Sequence, residues 1–491
     1  MRTRTRVALA LVAAASLGVS LRAQQPGQQP PSTTQMVLKG KAPVSNEILR
    51  VKLPRPTEAT LPNGLRLMVL EDHRVPQVSF QLMIPGAGGY YDPADRVGLA
   101  GWAAAMMREG TTTRSSAQIS EALETMGASL GAGSGAASPN GEIDGSALTE
   151  SLPKLMELTA DMLLHPAFAP QEWDRYRART KPQFVQLRTN PAFLANEMFN
   201  KVVFGTHPAS RIFASPAAID AVTAEALAEY QRTHYVPDHA VMAFAGDITL
   251  ANARALVEKY LSDWKRAGTT PAKVTDPGPI GAPKVYLIDR PNSVQTTLFV
   301  GTLGLTRTDP DFVPLSVANR VLGGVMGRLF RHLREEKGYT YGVGSGISTA
   351  PYVSSWTANT SVRTEVTEPA LKDLLDEIAE MRDKPVPDKE LQDSKRAVVA
   401  QFALSLESPQ RILSYAIDNW ELALPADYWD TYPARISAVT AAQAQAAAKK
   451  YWDPSRLEIV AVGDASKIRG ILAKFGTLEV YDAEGKPVTV P

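Results

Sequence analysis

The sequence lacks cysteine altogether and carries almost no net charge. Without cysteine the chain cannot form a disulfide, a thiolate metal site, a cysteine nucleophile or a lipidated N-terminal cysteine. The 52 basic and 51 acidic side chains leave a formal charge of +1 at pH 7. Such a balance gives no overall field that would capture nucleic acid, so we expect no nucleic-acid partner.

Histidines are few and scattered. There are six, and no two of them stand in an H-x-x-x-H or H-x-x-E-H spacing. His234 and His239 lie on either side of Pro237, so they do not share a helix face. The chain also lacks a G-x-S-x-G nucleophile motif and a G-x-x-x-x-G-K-[ST] phosphate loop. The residues alone therefore predict no metal bound by this chain.

Long apolar runs are missing except near the N-terminus. Arg2, Arg4 and Arg6 precede the apolar residues 7–19, and Ala23 follows. Charge, a short apolar run and a small residue are typical of a cleaved signal peptide, here residues 1–23. The alternative is a membrane anchor, but spanning a bilayer needs about 20 apolar residues. We therefore expect a periplasmic or secreted protein that is not inserted in the membrane after cleavage.

Two segments of the chain repeat one pattern. Residues 222–247 and 439–464 align without a gap, with Val, Thr, Ala, Pro, Gly and Asp coinciding. Each reads as a helix, a turn at Pro237 or Pro454, an apolar strand and then Gly-Asp. The threonine that follows the first valine can cap the helix by accepting from its free N–H groups. The repeat predicts a chain made of two related halves.

The remaining signals assign a fold class and boundaries. Alternating strand patterns open each half, and helical periodicity follows. We predict an α+β fold of two homologous α/β sandwich domains, each with a mainly antiparallel sheet and helices on one face. After a Gln/Pro-rich disordered linker at 24–45, the domains cover 46–267 and 284–480. A Pro/Gly/Thr-rich linker at 268–283 joins them, and 481–491 form a tail.

Several short segments stand in a characteristic order. They are LPNGL at 61–65, GLA at 98–100, GT at 110–111, MGA at 126–128, FGTHP at 204–208 and YVP at 235–237 leading to Gly246-Asp247. In this order they resemble the insulinase/pitrilysin-like metallopeptidases, the inverzincins, over nearly all of residues 46–465. The resemblance implies a peptidase-like fold with its active-site helix after residue 98.

At that helix the family's zinc motif is missing. The family carries H-x-x-E-H, two zinc-ligand histidines around a general-base glutamate. This chain reads GWAAA, with Gly101 and Ala105 at the histidine positions and Ala104 at the glutamate position. None of the three can coordinate zinc or move a proton. The resemblance therefore implies no catalytic residue in this chain alone.

The family's third zinc ligand is missing as well. It is a glutamate on the next long helix, which the resemblance places around residues 181–183. No acidic residue occurs between Asp174 and Glu197. The resemblance thus implies no cofactor bound by this chain, with zinc expected in a partner subunit instead. An active zinc peptidase on its own would need ligands that the chain does not have.

A second family feature is retained. Residues 333–341, LREEKGYTY, resemble the family's R-E-x-x-G-x-x-Y segment and place its arginine and tyrosine at Arg334 and Tyr341. In the family these side chains hydrogen-bond the substrate backbone beside the zinc. Arginine and tyrosine donate hydrogen bonds that suit a peptide carbonyl. From the residues alone, Arg334 also fits a solvated charge at a helix end, and Tyr341 a strand aromatic.

A third segment matches the strand to which family substrates pair. Residues 129–138, SLGAGSGAAS, have small side chains that would not obstruct an incoming peptide strand. Glycines also weaken strands, so a disordered flap is an equal interpretation.

Two functions follow from the resemblance. One is the non-catalytic subunit of an exported heterodimeric zinc peptidase. In it Arg334 and Tyr341 would bind unfolded peptide substrates beside the zinc of an H-x-x-E-H partner of similar size. The alternative is a scaffold or binding protein on an inactive peptidase fold, with no role in proteolysis. A scaffold would not need the arginine–tyrosine pair.

Overall fold

The computed structural model describes residues 48–488. The expected signal peptide at 1–23 and linker at 24–45 lie outside the described residues, as does the end of the chain from 489. Within the described range, no helix is both long and apolar enough to cross a membrane.

The first half of the chain forms a six-stranded sheet. Its strands are β1 Thr57–Thr60, β2 Arg66–Glu71, β3 Gln77–Pro85, β4 Ser129–Gly133, β5 Asn140–Leu148 and β6 Val241–Gly246. Their order across the sheet is β1-β2-β6-β3-β5-β4. All neighbours pair antiparallel except β2 and β6, which run parallel.

Eight helices accompany this sheet in the described sequence. They are α1 Leu99–Met107, α2 Ser116–Met126, α3 Leu152–Leu164, α4 Pro170–Arg188, α5 Pro191–Phe204, α6 Pro216–Ala221, α7 Ala224–His234 and α8 Leu250–Leu261. Buried side chains of α1, α3, α7 and α8 form one hydrophobic core with the inward-facing residues of β2, β3 and β5.

The second half forms a sheet of the same kind. Its strands are β7 Val285–Asp289, β8 Gln295–Leu303, β9 Thr340–Ile347, β10 Ser355–Arg363, β11 Glu458–Gly463 and β12 Leu478–Tyr481. The order is β12-β7-β11-β8-β10-β9, with β7 parallel to both β11 and β12. The other three neighbouring pairs are antiparallel. Both sheets are thus mainly antiparallel, as predicted.

The helices of the second half follow the order of the first. They are α9 Phe312–Gly323, a π-helical turn Phe330–Glu336, α10 Thr367–Asp383, α11 Asp388–Ser405, α12 Pro409–Glu421, α13 Tyr428–Ala438, α14 Ala441–Tyr451 and α15 Ala465–Leu472. Most of them pack on one face of the second sheet and form its hydrophobic core.

The repeat seen in the sequence corresponds to equivalent elements. The Thr223 side chain accepts from the N–H of Ala226 at the start of α7, and Thr440 accepts from Gln443 at the start of α14. The strand that follows each helix, β6 or β11, is buried along its whole length. The predicted fold class, two related α/β sandwiches, is confirmed.

Each sheet also has a helix on its second face, and that helix comes from the other half. Helix α5 packs on β8 and β11 through buried side chains that include Phe199, which lies against Phe299. Helix α12 packs on β2, β3 and β6 through Leu413 and Ile417. The sequence analysis expected helices on one face only. The exchange adds a covering helix to the other face and joins the two halves through apolar contacts.

Candidate functional site

Helix α1 carries the positions at which the zinc motif is expected. Asp92 fixes its N-terminus, because its carboxylate accepts hydrogen bonds from the N–H groups of Gly98 (2.7 Å) and Ala100 (2.9 Å). Burial raises the pKa of Asp92 to about 6, although these hydrogen bonds favour the charged form. Asp92 thus satisfies free N–H groups that every helix start leaves.

The residues at the motif positions on α1 have no side-chain group that could bind a metal or transfer a proton. Gly101 and Ala105 are one turn apart and partly exposed, while Ala104 is fully buried. A β-carbon built on Gly101 would lie 3.2 Å from the Ser134 carbonyl oxygen, so the chain passes close to this face. The residues that α1 presents at these positions are therefore small and nonpolar.

The residues around α1 do not fit a zinc ion. At the expected third-ligand positions, α4 carries Lys181, Pro182 and Gln183, and Lys181 forms an ion pair with Asp220. Across residues 48–488 no three His, Asp or Glu side chains are grouped so that they could hold a metal. A zinc site needs at least three protein ligands. That the chain binds no metal of its own stays a prediction until metal content is measured.

Packing and an ion pair join α1 to α4. Trp102 on α1 lies against Trp173 on α4, with ring centroids 6.0 Å apart, and Trp173 stacks on Tyr176. Just after α1, Glu109 forms an ion pair with Arg179 of α4. The contacts between the two helices that would carry zinc ligands in the family are therefore structural here.

Strand β4 forms one edge of the first sheet. It pairs with β5 on one side, and no other strand of the sheet lies beyond it. The strand covers only the first half of the predicted 129–138 segment, since residues 134–139 form a loop. A β-carbon on Gly133 would meet nothing within 4 Å. An edge strand of this kind leaves backbone groups that a further strand can pair with.

The segment that carries Arg334 has an unusual local structure. Arg334 lies in the π-helical turn, a rare form that is frequent at functional sites. The turn ends at Gly338, whose φ of +60° lies in the left-handed region that favours glycine. There the N–H of Gly338 bonds the Arg334 carbonyl, and the N–H of Tyr339 bonds the Leu333 carbonyl. The chain therefore turns sharply from the helix into β9.

This turn brings Arg334 and Tyr341 together, and their role in binding substrate stays a prediction. The Arg334 guanidinium lies 5.0 Å from the ring centroid of Tyr341. The Tyr341 residue is 89% exposed, and the Arg334 side chain is 36% exposed. The nearest carboxylate to Arg334 is that of Glu335, with Nε and Oε1 3.4 Å apart. Both donor groups are therefore accessible from solvent.

One residue of this site was missed from the sequence. Phe330 lies under Arg334, with its ring centroid 4.6 Å from the guanidinium, so the arginine stacks on two aromatic rings. Stacking of this kind orients a guanidinium without using its donors. The spacing of four residues between Phe330 and Arg334 is the signal that could have identified the contact.

The two parts of the expected site are not joined within the chain. No hydrogen bond, ion pair or ring contact between described residues links Arg334 or Tyr341 to Gly101, Ala104 or Ala105. The remaining histidines serve elsewhere. For example, His207 is buried against Tyr352, and its Nε2 lies 2.8 Å from the Thr275 carbonyl oxygen.

Two family models match the chain in succession. Residues 66–217 match Insulinase (Peptidase family M16), and residues 221–398 match the Peptidase M16 inactive domain. The first match includes α1 and β4. The second includes the Arg334 segment and β9.

Curated proteins similar to this chain are named as zinc proteases. An uncharacterized zinc protease of Bacillus subtilis (strain 168), YmxG, is 24% identical over 360 residues, which cover 72% of this chain and 85% of the relative. An uncharacterized zinc protease of Streptomyces coelicolor is 26% identical over 405 residues, which cover 79% of this chain and 86% of the relative.

Solved structures share the fold. A peptidase M16 inactive domain from Pseudomonas fluorescens superposes with a TM-score of 0.76 at 26% identity, covering 83% of this chain and 98% of that chain. A protease from Helicobacter pylori superposes with a TM-score of 0.75 at 15% identity, covering 84% and 100%. The architecture of two exchanged sandwiches therefore extends across sequences with little identity.

Proposed function

The chain belongs to the insulinase family, peptidase family M16, and lacks that family's catalytic motif, and we propose that it is the substrate-binding subunit of an exported heterodimeric zinc peptidase. In this proposal a partner of similar size carries H-x-x-E-H and the zinc. This chain contributes Arg334 and Tyr341, which bind the backbone of an unfolded peptide beside the partner's site. Alone it has no peptidase activity.

The observation that carries the proposal is the exposed Arg334–Tyr341 pair on a rigid turn. Tyr341 is 89% exposed, so it adds little to the core of its own chain and its hydroxyl can reach a bound molecule. Arg334 is held by two rings while its donors stay available. Fixed donors of this kind can stabilise the negative charge that develops on a peptide carbonyl during hydrolysis.

The absence of the zinc motif from α1 supports an active site that is shared between two chains. Among residues 48–488, no hydrogen bond, ion pair or ring contact joins the pair to the first half of the chain, so in this proposal a complete site needs another molecule. The free edge of β4 offers a second place at which an extended peptide can pair by its backbone. Both features belong to substrate binding, and neither requires a metal in this chain.

The proposal is tested by reconstitution. An H-x-x-E-H protein of similar length is sought among the neighbouring genes and co-expressed with this chain. Zinc content and peptide cleavage are then measured for each chain and for the mixture. We expect a 1:1 complex, zinc in the partner only, and cleavage only in the mixture. A partner that binds this chain but cleaves peptides equally well without it would contradict the proposal.

A scaffold function is the second candidate, and one observation favours it. Arg334 is already stacked between Phe330 and Tyr341, so a purely structural role accounts for its position. The same reconstitution separates the two. A scaffold joins a complex without changing cleavage, and substitutions at Arg334 then leave activity unchanged.

A further inference from the structure

A cavity in the second half lies outside the Arg334 site and has its own polar groups. Its volume is about 430 Å³, and it opens between the loop before α9 and the start of α13. Its apolar walls include Pro310, Val313 and Pro425. Arg307, Tyr428 and Arg435 supply its principal hydrogen-bond donors.

Two arginines at this cavity have no carboxylate partner. Arg307 makes no hydrogen bond or ion pair with any described residue, and its Nε is buried. Arg435 donates one hydrogen bond from Nη2 to the Tyr428 carbonyl oxygen (2.8 Å), and its Nε is also buried without a partner. A guanidinium has five donors, so most of those on both side chains have no partner among the described residues.

Aromatic rings hold the two guanidinium groups in place. Arg435 lies 3.9 Å from the ring centroid of Tyr428, and Arg307 lies 5.7 Å from the same centroid. Arg307 also lies 4.5 Å from the Trp429 ring. These contacts cover the faces of the guanidinium groups but do not satisfy their N–H groups. The arginines are therefore positioned in advance for an acceptor.

The third donor is the hydroxyl of Tyr428. This residue is 5% exposed, and its hydroxyl oxygen has no hydrogen-bond partner among the described residues. Leaving a buried polar group unsatisfied costs about 1–3 kcal/mol, so nearly all such groups in proteins have a partner. An acceptor bound in the cavity would relieve this cost.

The charge of the site favours a monoanion. The cavity wall contains one carboxylate, that of Asp309, which already accepts from the Tyr451 hydroxyl (3.2 Å). Burial raises the pKa of Asp418 nearby, and Arg307 opposes that rise without forming an ion pair. The remaining positive charge matches a carboxylate better than a doubly charged phosphate. The planar fork of arginine also fits a carboxylate.

From this arrangement we propose that Arg307, Tyr428 and Arg435 form a binding site for a small organic carboxylate with an apolar body. The carboxylate accepts from the two guanidinium groups and the Tyr428 hydroxyl. The body lies against the proline and valine walls. The site is independent of the proposed peptidase role.

The test is calorimetric titration of the purified chain with 3-phenylpropionate, 3-phenylpropanol and inorganic phosphate. We expect saturable 1:1 binding of 3-phenylpropionate, no detectable binding of the alcohol, and phosphate binding at least about tenfold weaker. Losing one charged hydrogen-bond partner corresponds to a weakening of about 10- to 100-fold, which we expect for Arg307→Gln and for Arg435→Gln. The matched control is Arg232→Gln, at an exposed arginine on α7, a helix that packs in the core of the first half, and it should bind normally.

Three results would overturn the proposal. They are no saturable binding of 3-phenylpropionate, equal binding of the alcohol, and equal or tighter binding of phosphate. Because the arginine variants remove ring contacts as well, each is first checked by thermal unfolding. Tyr428→Phe keeps the ring and removes only the hydroxyl, so it should weaken binding without loss of fold. Unchanged binding in Tyr428→Phe and in both folded arginine variants would also contradict the site.

Discussion

The two halves of this chain share an architecture but present different chemistry at equivalent places. In the first half, helix α1 offers Gly101 and Ala105 where a metallopeptidase of this family has its zinc ligands. In the second, the turn before β9 exposes an arginine and a tyrosine that contact each other. This difference shows that the fold does not require zinc ligands on α1, because core packing does not depend on them.

The halves are nevertheless tied together by reciprocal helices. Helix α5 covers the second sheet and α12 covers the first. Because of this exchange, each half depends on a helix of the other half to cover the second face of its sheet. Substitutions in the exchanged helices therefore test how the halves are joined. Substitutions at the site residues test how the halves differ in chemistry.

The largest effect is expected at α5. Phe199→Ala removes a ring that is 1% exposed and should lower the free energy of unfolding by about 3–5 kcal/mol. Ile417→Ala on the reciprocal helix should cost about 2–5 kcal/mol for the same reason. Urea unfolding measures both. The control is Asn196→Ala, on the exposed face of α5. Equal stability of Phe199→Ala and this control would show that α5 does not hold the halves together.

The next effect concerns activity of the reconstituted pair. Arg334→Ala should lower kcat/KM by about 100- to 1000-fold, the range seen when a donor to a developing negative charge is lost. Arg334→Lys keeps the charge but not the fork, so it should restore activity only in part. The measurement is peptide cleavage at low substrate concentration. Lys337→Ala, an exposed cation at the end of the same turn, is the control and should be neutral. Equal rates for the alanine variants at 334 and 337 would remove the proposed role.

A smaller effect is expected at the tyrosine. Tyr341→Phe keeps the ring over Arg334 and removes one donor, so the loss should be about tenfold, as for one neutral hydrogen bond. The cleavage rate of the pair measures it. Tyr339→Phe, on a residue that packs partly against the core, should leave the rate unchanged. If both phenylalanine variants cleave like the wild type, the Tyr341 hydroxyl does not bind substrate.

Much of this arrangement follows from the sequence because it is local. The caps at Thr223 and Thr440 and the repeat around them can be read from residue types and spacing. The empty motif at Gly101 is implied by the resemblance to the family, which short local segments carry. These features depend on neighbours in the chain, so one sequence suffices to predict them.

The parts that could not be predicted depend on distant contacts. The exchange of α5 and α12 joins residues such as Phe199 and Phe299, and no pattern in either helix identifies its partner sheet. The cavity at Arg307 is likewise assembled from separate loops, and its unpaired donors appear only when those loops meet. Hydrophobic periodicity predicts that a face is buried but not what buries it.

The smallest effect is expected for zinc binding by a variant of α1. Gly101→His combined with Ala105→His restores two ligand types on α1, yet the third ligand is still missing from α4. Because a zinc site needs three protein ligands, the double variant should bind no zinc above background. Elemental analysis after dialysis measures it, with the H-x-x-E-H partner as the positive control. Stoichiometric zinc in the variant would show that α1 lies beside ligands that the described residues do not reveal.

The most direct test of the central claim is a titration of the zinc-bearing partner with this chain, following the initial rate of peptide cleavage. We predict a rate that rises to a plateau at one equivalent with the wild-type chain. With the Arg334→Ala/Tyr341→Phe chain, the plateau should be lower by at least about 100-fold at equal complex formation. Identical plateaus for the two chains would contradict the account and leave this protein as a scaffold.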